Sequence, residues 1–369
     1  MAYVAFGKVE DYDEEKILSV IEKLFSLTGI DRNFKPGERI LLKPNVLAPR
    51  KAEMGITTNP KFVSAAVKFL RTLGLEVIVS DSPGGAGTKS MFAMKETGIY
   101  DAAVNAGAKV VPIEKFGIKT FKSDGGAKIH ISKIIDEVDG IVNLPKLKTH
   151  SLTLLTLAVK NCYGLVPGFM KARYHFYYPT PRKFSWLLAE IYERVRDKIR
   201  AVILDGIVAM EGNGPSAGDL RKLGLIGISD DCAAIDDALE KLLGQDKPSP
   251  VIKELRKRKL VPDYKVSWLN GEETKIHDFA IPSNWKMRLI PSFLGTLANR
   301  LIQIYPIVDE SLCIGCGDCA SSCPANAINI SSNGLPKFDY KRCIRCLCCH
   351  EICPSKAIKL KRTFLTRFV

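Results

Sequence analysis

Two rhythms of apolar and polar positions alternate along the first 300 residues. Short continuous apolar runs mark buried strands, and longer stretches with apolar residues every three or four positions mark helices. ERILLKPN is a short apolar run ending at Lys43-Pro44-Asn45. After Pro60, KFVSAAVKFLRTLG has helical spacing and closes at Gly74. LEVIVSD is a β-branched run followed by Ser82-Pro83-Gly84-Gly85-Ala86-Gly87. A second helical stretch, roughly Lys89 to Ala106, leads into the strand AKVVPI, and GIVNLP and AVILDG follow as further buried-strand runs. This βαβ rhythm predicts an α/β fold, a mostly parallel sheet covered by helices on both faces in a Rossmann-like, three-layer arrangement.

Four of these strands deliver polar or glycine-rich residues directly at their carboxyl ends. The first gives Lys43 and Asn45; the second gives Asp81, Ser82 and the loop of Gly84, Gly85 and Gly87. The third gives Lys146, Lys148, Thr149 and His150; the fourth gives Asp205 and then Glu211-Gly212-Asn213-Gly214-Pro215. Any one strand ends in polar residues because it ends in a loop. Four together point to a site, since ligands of open α/β sheets bind outside the carboxyl ends of strands.

The glycine loop joins a strand to a helix, so its backbone N–H groups could hold an anion. It is not a nucleotide-binding loop by spacing, because Thr88 separates Gly87 from Lys89 and no G-x-G-x-x-G occurs. A plain turn explains it nearly as well. Lys146, Lys148 and His150, with Lys160 and Asn161 downstream, form the densest polar cluster. The lysines could clamp a carboxylate or phosphate and His150 could donate a proton in a reduction, while Asp205 and Glu211 offer carboxylates for a proton or a cation. The bland alternatives are a solvated basic loop and turn caps.

A length of 369 residues with 46% hydrophobic and 25% charged positions is globular composition, enough for two domains or one with an appendage. The formal charge of +14 weakly favours an anionic ligand. Its lysines and arginines are spread along the chain and carry no nucleic-acid-binding signature, so nucleic acid is not expected. The N-terminus lacks the apolar core of a signal peptide, and no apolar stretch reaches the ~18–20 residues of a membrane span. A cytoplasmic protein is the expectation. The stretch from Trp285 to Tyr305 reads as packing between domains, with an interfacial membrane helix as the alternative.

Eleven cysteines would suit a disulfide scaffold if they were spread out, but only Cys162 and Cys232 precede residue 300. The other nine lie between Cys313 and Cys353 in two repeats of C-x2-C-x2-C-x3-C-P. That is the bacterial ferredoxin run. Three closely spaced cysteines wrap three corners of one cubane, and the fourth, before proline, reaches the other cluster. Cys313, Cys316, Cys319 and Cys353 are thus expected to hold one [4Fe–4S] cluster, and Cys343, Cys346, Cys349 and Cys323 a second. Zinc, the main alternative, needs four ligands and gains nothing from doubled four-cysteine runs. Pro-Ala-Asn-Ala-Ile and Pro-Ser-Lys-Ala-Ile after the two runs suggest a helix and a strand per half, a small α+β ferredoxin-like module over 301–369 appended to an α/β domain over 1–300. Cys348, at the position equivalent to Asp318, is a ninth cysteine, read as a small buried residue near the cluster.

KPN after the first strand, NLPKLKTH, VKNCYG and DGIVAMEGNGP together resemble the family catalogued as domain of unknown function 362, whose members often carry a C-terminal two-cluster ferredoxin domain. The resemblance implies the domain layout and no reaction. Two functions remain in view. One is a ferredoxin-linked oxidoreductase acting on an anionic small molecule, with electrons from a redox partner protein or other low-potential donor. The other is a non-enzymatic carrier or adaptor whose α/β domain docks a partner redox enzyme; the missing flavin or nicotinamide fingerprint favours it.

Overall fold

A computed structural model describes residues 1–84, 89–271, 273, 275–282 and 304–362. Gly85, Gly87, the expected boundary at residue 300 and nearly all of the Trp285–Tyr305 stretch lie outside them. From the N-terminus the elements are β1 (Ala2–Lys8), α1 (Glu14–Thr28), β2 (Arg39–Pro44), α2 (Pro60–Thr72), β3 (Glu76–Val79), α3 (Ser90–Glu96), α4 (Ile99–Asn105) and β4 (Lys109–Val110). A hairpin of β5 (Ile118–Lys122) and β6 (Lys128–Ser132) precedes β7 (Gly140–Leu144), β8 (Lys146–His150), β9 (Leu154–Thr156), α5 (Ala158–Asn161), α6 (Gly168–Tyr177) and α7 (Pro181–Val195). Then come β10 (Ile199–Glu211), β11 (Asp219–Ser229), α8 (Cys232–Leu242), α9 (Pro250–Lys257) and β12 (Tyr264–Trp268).

The main sheet runs in the order β12-β1-β11-β10-β7-β2-β3-β4, with β8 and β9 branching from β10. The neighbours from β4 to β10 are parallel, whereas β11 runs antiparallel to both β10 and β1. The mostly parallel sheet matches the apolar pattern; β11 is the reversed strand that the pattern did not announce.

Period-two alternation sorts the strands' side chains into two cores. Leu41, Val202 and Leu204 face α5 to α9, while Ile40, Leu42, Ala201 and Ile203 face α1 to α4. Each fully buried Leu or Ile contributes about 1.5–3 kcal/mol, so the layers are held by this alternation rather than by helix propensity. The caps set the register: the Asp13 side chain accepts from Lys16 N at 2.9 Å to start α1, and Asn59 with Pro60 starts α2. The single helix expected over Lys89–Ala106 is two, because Gly98 takes a left-handed φ of 77° and breaks the ladder.

A second difference concerns Asp205. It was expected at a strand's carboxyl end but sits inside the 13-residue β10. The strand shifts register between Gly206 and Val208 and then continues against β11 as far as Glu211 paired with Asp219. Lys146 to His150 likewise form a strand of their own rather than a loop.

Residues 304–362 build a small α+β unit. β13 (Ile304–Val308) pairs antiparallel with β16 (Ile358–Arg362), and β14 (Ile328–Ile330) with β15 (Pro336–Phe338). α10 (Asp318–Ser321) and α11 (Cys348–Ile352) precede β14 and β16, one helix and strand per repeat. Its core includes Cys319, Ile328, Cys349, Cys353, Ala357 and Ile358.

Candidate functional site

The carboxyl edge of the parallel strands is built on a buried ion pair. Lys43, near the end of β2, meets Asp81, after β3, at 2.8 Å, and neither side chain is more than 2% exposed. Asp81 also accepts from Val46 N at 2.8 Å, which folds the chain after β2 over the pair. Beside it runs a chain of amides: Asn45 Nδ2 donates to Asn161 Oδ1 (3.0 Å), Asn161 Nδ2 to Asn143 Oδ1 (2.7 Å), and Asn143 Nδ2 to Ala158 O (2.8 Å). This chain of amides holds its members in one geometry, with Asn45 Oδ1 left unpaired among the described residues.

Over this floor lies a cavity. β8 contributes Lys148 and His150, α5 Lys160 and Asn161, and α6 Lys171 and His175; Glu351 and Ile352 of α11 reach it from the C-terminal unit. Lys148 Nζ donates to Ile56 O at 2.5 Å, and Lys171 Nζ to the carbonyls of Ser82 and Pro83. Burial, then repulsion from Lys160 and Lys146, holds Lys148 well below the ordinary lysine range. Burial pushes Lys160 down to about 8 and Lys171 to about 7. His150 and His175 are pushed down too, His175 to about 3, so both rings are neutral, while burial raises Glu351 to about 7. His150 Nδ1 accepts from Leu152 N (3.1 Å) and Thr153 N (3.4 Å). Its proton therefore sits on Nε2, which lies 3.7 Å from Glu351.

Lys146, Asp205 and Glu211 stand apart from this cavity. Lys146 forms a closed triad, 2.9 Å from Asp205 and donating to Tyr12 OH at 2.5 Å, while Tyr12 OH donates to Asp205 at 2.7 Å. Asn59 N completes it by donating to Asp205 at 3.0 Å. Glu211 is 3.1 Å from Arg221 and accepts from Ala280 N at 3.1 Å. Lys43 lies under the cavity floor, and Ser82 and Gly84 are in its wall.

The cysteines surround two further cavities. Cys313, Cys316, Cys319 and Cys353 line one, and Cys323, Cys343, Cys346 and Cys349 the other. The remaining walls are mainly apolar, with Ile314, Ile330 and Ala357 in the first and Ile328, Phe338 and Ile344 in the second. Among the described residues no group of three or more His, Cys, Asp or Glu is set round a single ion; the thiols surround a volume. Four thiol donors about such a volume fit an iron–sulfur cluster. Each loop is coiled by two left-handed residues: Gly315 and Gly317 in the first, Arg345 and Leu347 in the second.

Residues 40–240, more than half of the chain, match the family described as a domain of unknown function, DUF362, and residues 305–354 match a 4Fe-4S dicluster domain. The chain belongs to the DUF362 family. Its dicluster domain carries an iron–sulfur electron-transfer role. The DUF362 chain is similar to the thylakoid-associated protein sll1697 of Synechocystis sp., 33% identical over 247 residues, which are 66% of this chain and 75% of that protein. Among solved structures it is similar to the lactate racemase apoprotein from Thermoanaerobacterium thermosaccharolyticum, with a TM-score of 0.42 and 13% identity over 64% of this chain. A Thermotoga maritima protein scores 0.33 at 13% identity over 55% of this chain. The chain spans 56% and 52% of those two structures. No helix among the described residues is long and apolar enough to cross a membrane.

The DUF362 domain and the dicluster unit meet at the cavity. Ile352 packs with Ala48, Ile56 and Met210, Arg50 pairs with Asp318, and Ser216 Oγ donates to Glu351 O. Cys348 lines both the large cavity and the one of the second cysteine set. Sequence reasoning missed Lys171, His175, Thr156 and Glu351. Lys171 and His175 sit one helical turn apart on α6, and that i, i+4 spacing was the available signal.

Proposed function

We propose that this DUF362 chain is a ferredoxin-linked oxidoreductase that acts on an anionic small molecule held in the cavity at the carboxyl edge of its sheet. The observation that carries this reading is the shared wall: Cys348 borders both the lysine-lined cavity and the second cysteine set. Two [4Fe–4S] clusters, one on Cys313, Cys316, Cys319 and Cys353 and one on Cys343, Cys346, Cys349 and Cys323, would supply or accept electrons singly. The chain's own residues do the rest. Lys148, Lys160 and Lys171 bind the anion, His150 offers the proton on Nε2, and Ile352 with its apolar neighbours keeps water out. Lys146 and Asp205 act from outside the cavity, by fixing β8 on β10.

Burial of Lys148 and Lys171 supports an internal substrate site over a docking face. Lys148 and His150 are each 1% exposed, and a surface that recruits a partner enzyme by charge needs its charges in solvent. The electron donor is a separate redox protein or low-potential donor, and the thiolate chemistry suits a reducing, cytoplasmic compartment.

The test is anaerobic. Purified protein with measured iron and sulfide is reduced and mixed with fractionated small molecules, and cluster absorbance is followed. Reoxidation by one fraction, slowed at least tenfold in Lys160→Ala with iron content unchanged, is the expected result. Reoxidation by protein fractions alone, indifferent to that substitution, would remove the enzyme reading.

A further inference from the structure

The cavity walls carry a surplus of positive charge. Asp81 is matched by Lys43, which leaves Lys148, Lys160 and Lys171 facing, among the described residues of the lining, a single carboxylate, Glu351. The two histidines add no charge in their neutral state. With all three lysines protonated and Glu351 ionised, the walls formed by β8, α5, α6 and α11 would carry two net positive charges, a state that burial opposes and a bound anion would stabilise.

The donors are also unevenly used. Lys148 and Lys171 each give hydrogen bonds to main-chain carbonyls, but Lys160 Nζ has no hydrogen bond or ion pair among the described residues. Thr156, 1% exposed, lines the same cavity with a hydroxyl that has no hydrogen-bond partner among the described residues. Native interiors pair their buried polar groups, so the Thr156 hydroxyl marks a place where something else supplies the partner, beside the half-buried Lys160 ammonium. His150 Nε2–H is a further donor at the same wall.

We propose that the cavity binds a molecule bearing a dianionic group, a phosphate monoester or a dicarboxylate, whose two charges balance the lysine surplus. Lys160 and Lys171 contact the anion, and Thr156 and His150 donate to its oxygens. A monoanion leaves one charge uncompensated and a neutral molecule leaves both. Without a ligand the surplus is relieved by proton loss, consistent with the lowered pKa values of Lys160 and Lys171. The inference rests on the reading of this cavity as the substrate site, and does not depend on redox chemistry occurring there.

The experiment is anaerobic titration calorimetry of the full-length, iron-loaded protein at pH 7 with succinate, malate, inorganic phosphate, glycerol phosphate and acetate. At least one dianion is expected to bind one-to-one and at least tenfold more tightly than acetate. Lys160→Gln and Lys171→Met should each weaken that binding tenfold or more while iron content and cluster absorbance stay unchanged, and Lys171→Arg should recover part of it. A preference for dicarboxylate or for phosphate supports the inference and names the head group. It is overturned by acetate binding as tightly as the dianions, by all four dianions failing to bind, or by binding indifferent to both lysine substitutions. A dianion that binds as expected but never reoxidises reduced clusters removes the oxidoreductase reading and leaves this one. Reoxidation by a molecule without a dianionic group does the reverse.

Discussion

Lys43 and Asp81 lie at the carboxyl ends of neighbouring parallel strands and meet at 2.8 Å beneath the cavity floor, almost wholly removed from solvent. Among the described residues Asp81 Oδ1 makes only this ionic contact, while its other oxygen ties down the backbone of Val46. The pair therefore joins β2, β3 and the chain after β2 at one point, and its charges depend on each other.

Removing one partner leaves the other buried and unmatched, which typically costs about 3–5 kcal/mol. Lys43→Met and Asp81→Asn should each lower the urea midpoint substantially. The double substitution should cost less than the sum of the two, because it removes both charges together. A double-mutant cycle by denaturant unfolding checks this, and strict additivity would show that the pair is not coupled.

Gly164, in the VKNCYG segment, packs so closely on that pair that an added Cβ would collide with Asp81 Oδ1 and Lys43 Nζ. Its carbonyl also accepts from Ser82 N at 3.1 Å, so the backbone has little room to retreat. Gly164→Ala is expected to destabilise by about 1–3 kcal/mol through overpacking and to weaken anion binding more than a surface change such as Gly125→Ala, where an added Cβ meets only Ser123 Oγ at 4.0 Å. Thermal unfolding and the calorimetric titration read the two effects separately.

The crossed arrangement of cysteines makes a specific demand. Cys353 follows the second run but stands in the first cavity, and Cys323 follows the first run but stands in the second. Cys353→Ala should impair the cluster far from Cys348, and Cys323→Ala the one beside it. Iron and sulfide should fall toward half in each variant. Electron paramagnetic resonance of the reduced proteins should show different surviving signals. One signal lost from both variants, or an uncrossed pattern of loss, would refute the assignment.

The doubled cysteine run was legible because cluster ligation is local in sequence, with most donors in one loop and the exception marked by proline. Strands β2, β3 and β7 were legible because burial on both faces demands continuous apolar runs. Asp205 was misjudged because the shift after Gly206 that carries β10 onward is set by pairing with β11, a contact no local pattern encodes. Lys171 was overlooked because FMKARYHFYY reads as an ordinary mixed helix; only the tertiary fold turns that lysine toward Ser82 and Pro83. Glu351 was hidden inside the cysteine run, where a carboxylate reads as spacing. The site is assembled from five segments, and what each offers its neighbours is a property of their meeting.

The lysines make the last prediction, a pH dependence of anion binding. Burial is the main cause holding Lys171 at about 7 in the free cavity; Asp81 and Glu114 oppose it, and Lys43 and Lys160 add to it. Lys160 stands at about 8, lowered by burial and by Lys43 and supported by Glu351. Tyr163, whose ring lies 5.7 Å from Lys171 Nζ, stays protonated because burial raises its pKa. A bound dianion favours both ammonium forms and raises both pKa values, so the complex holds more protons than the free protein at alkaline pH. Affinity should accordingly be full below about pH 7 and fall as pH rises through 7 to 8, by up to about tenfold per pH unit for each proton taken up. Calorimetry at pH 8 in two buffers of different ionisation enthalpy should register net proton uptake on binding. In Lys171→Met the fall should become shallower by about one proton, with Lys160 and Glu351 as the remaining titrating groups of the cavity. Affinity that stays level from pH 6 to 9, or proton release on binding, would mean that these lysines do not meet the anion.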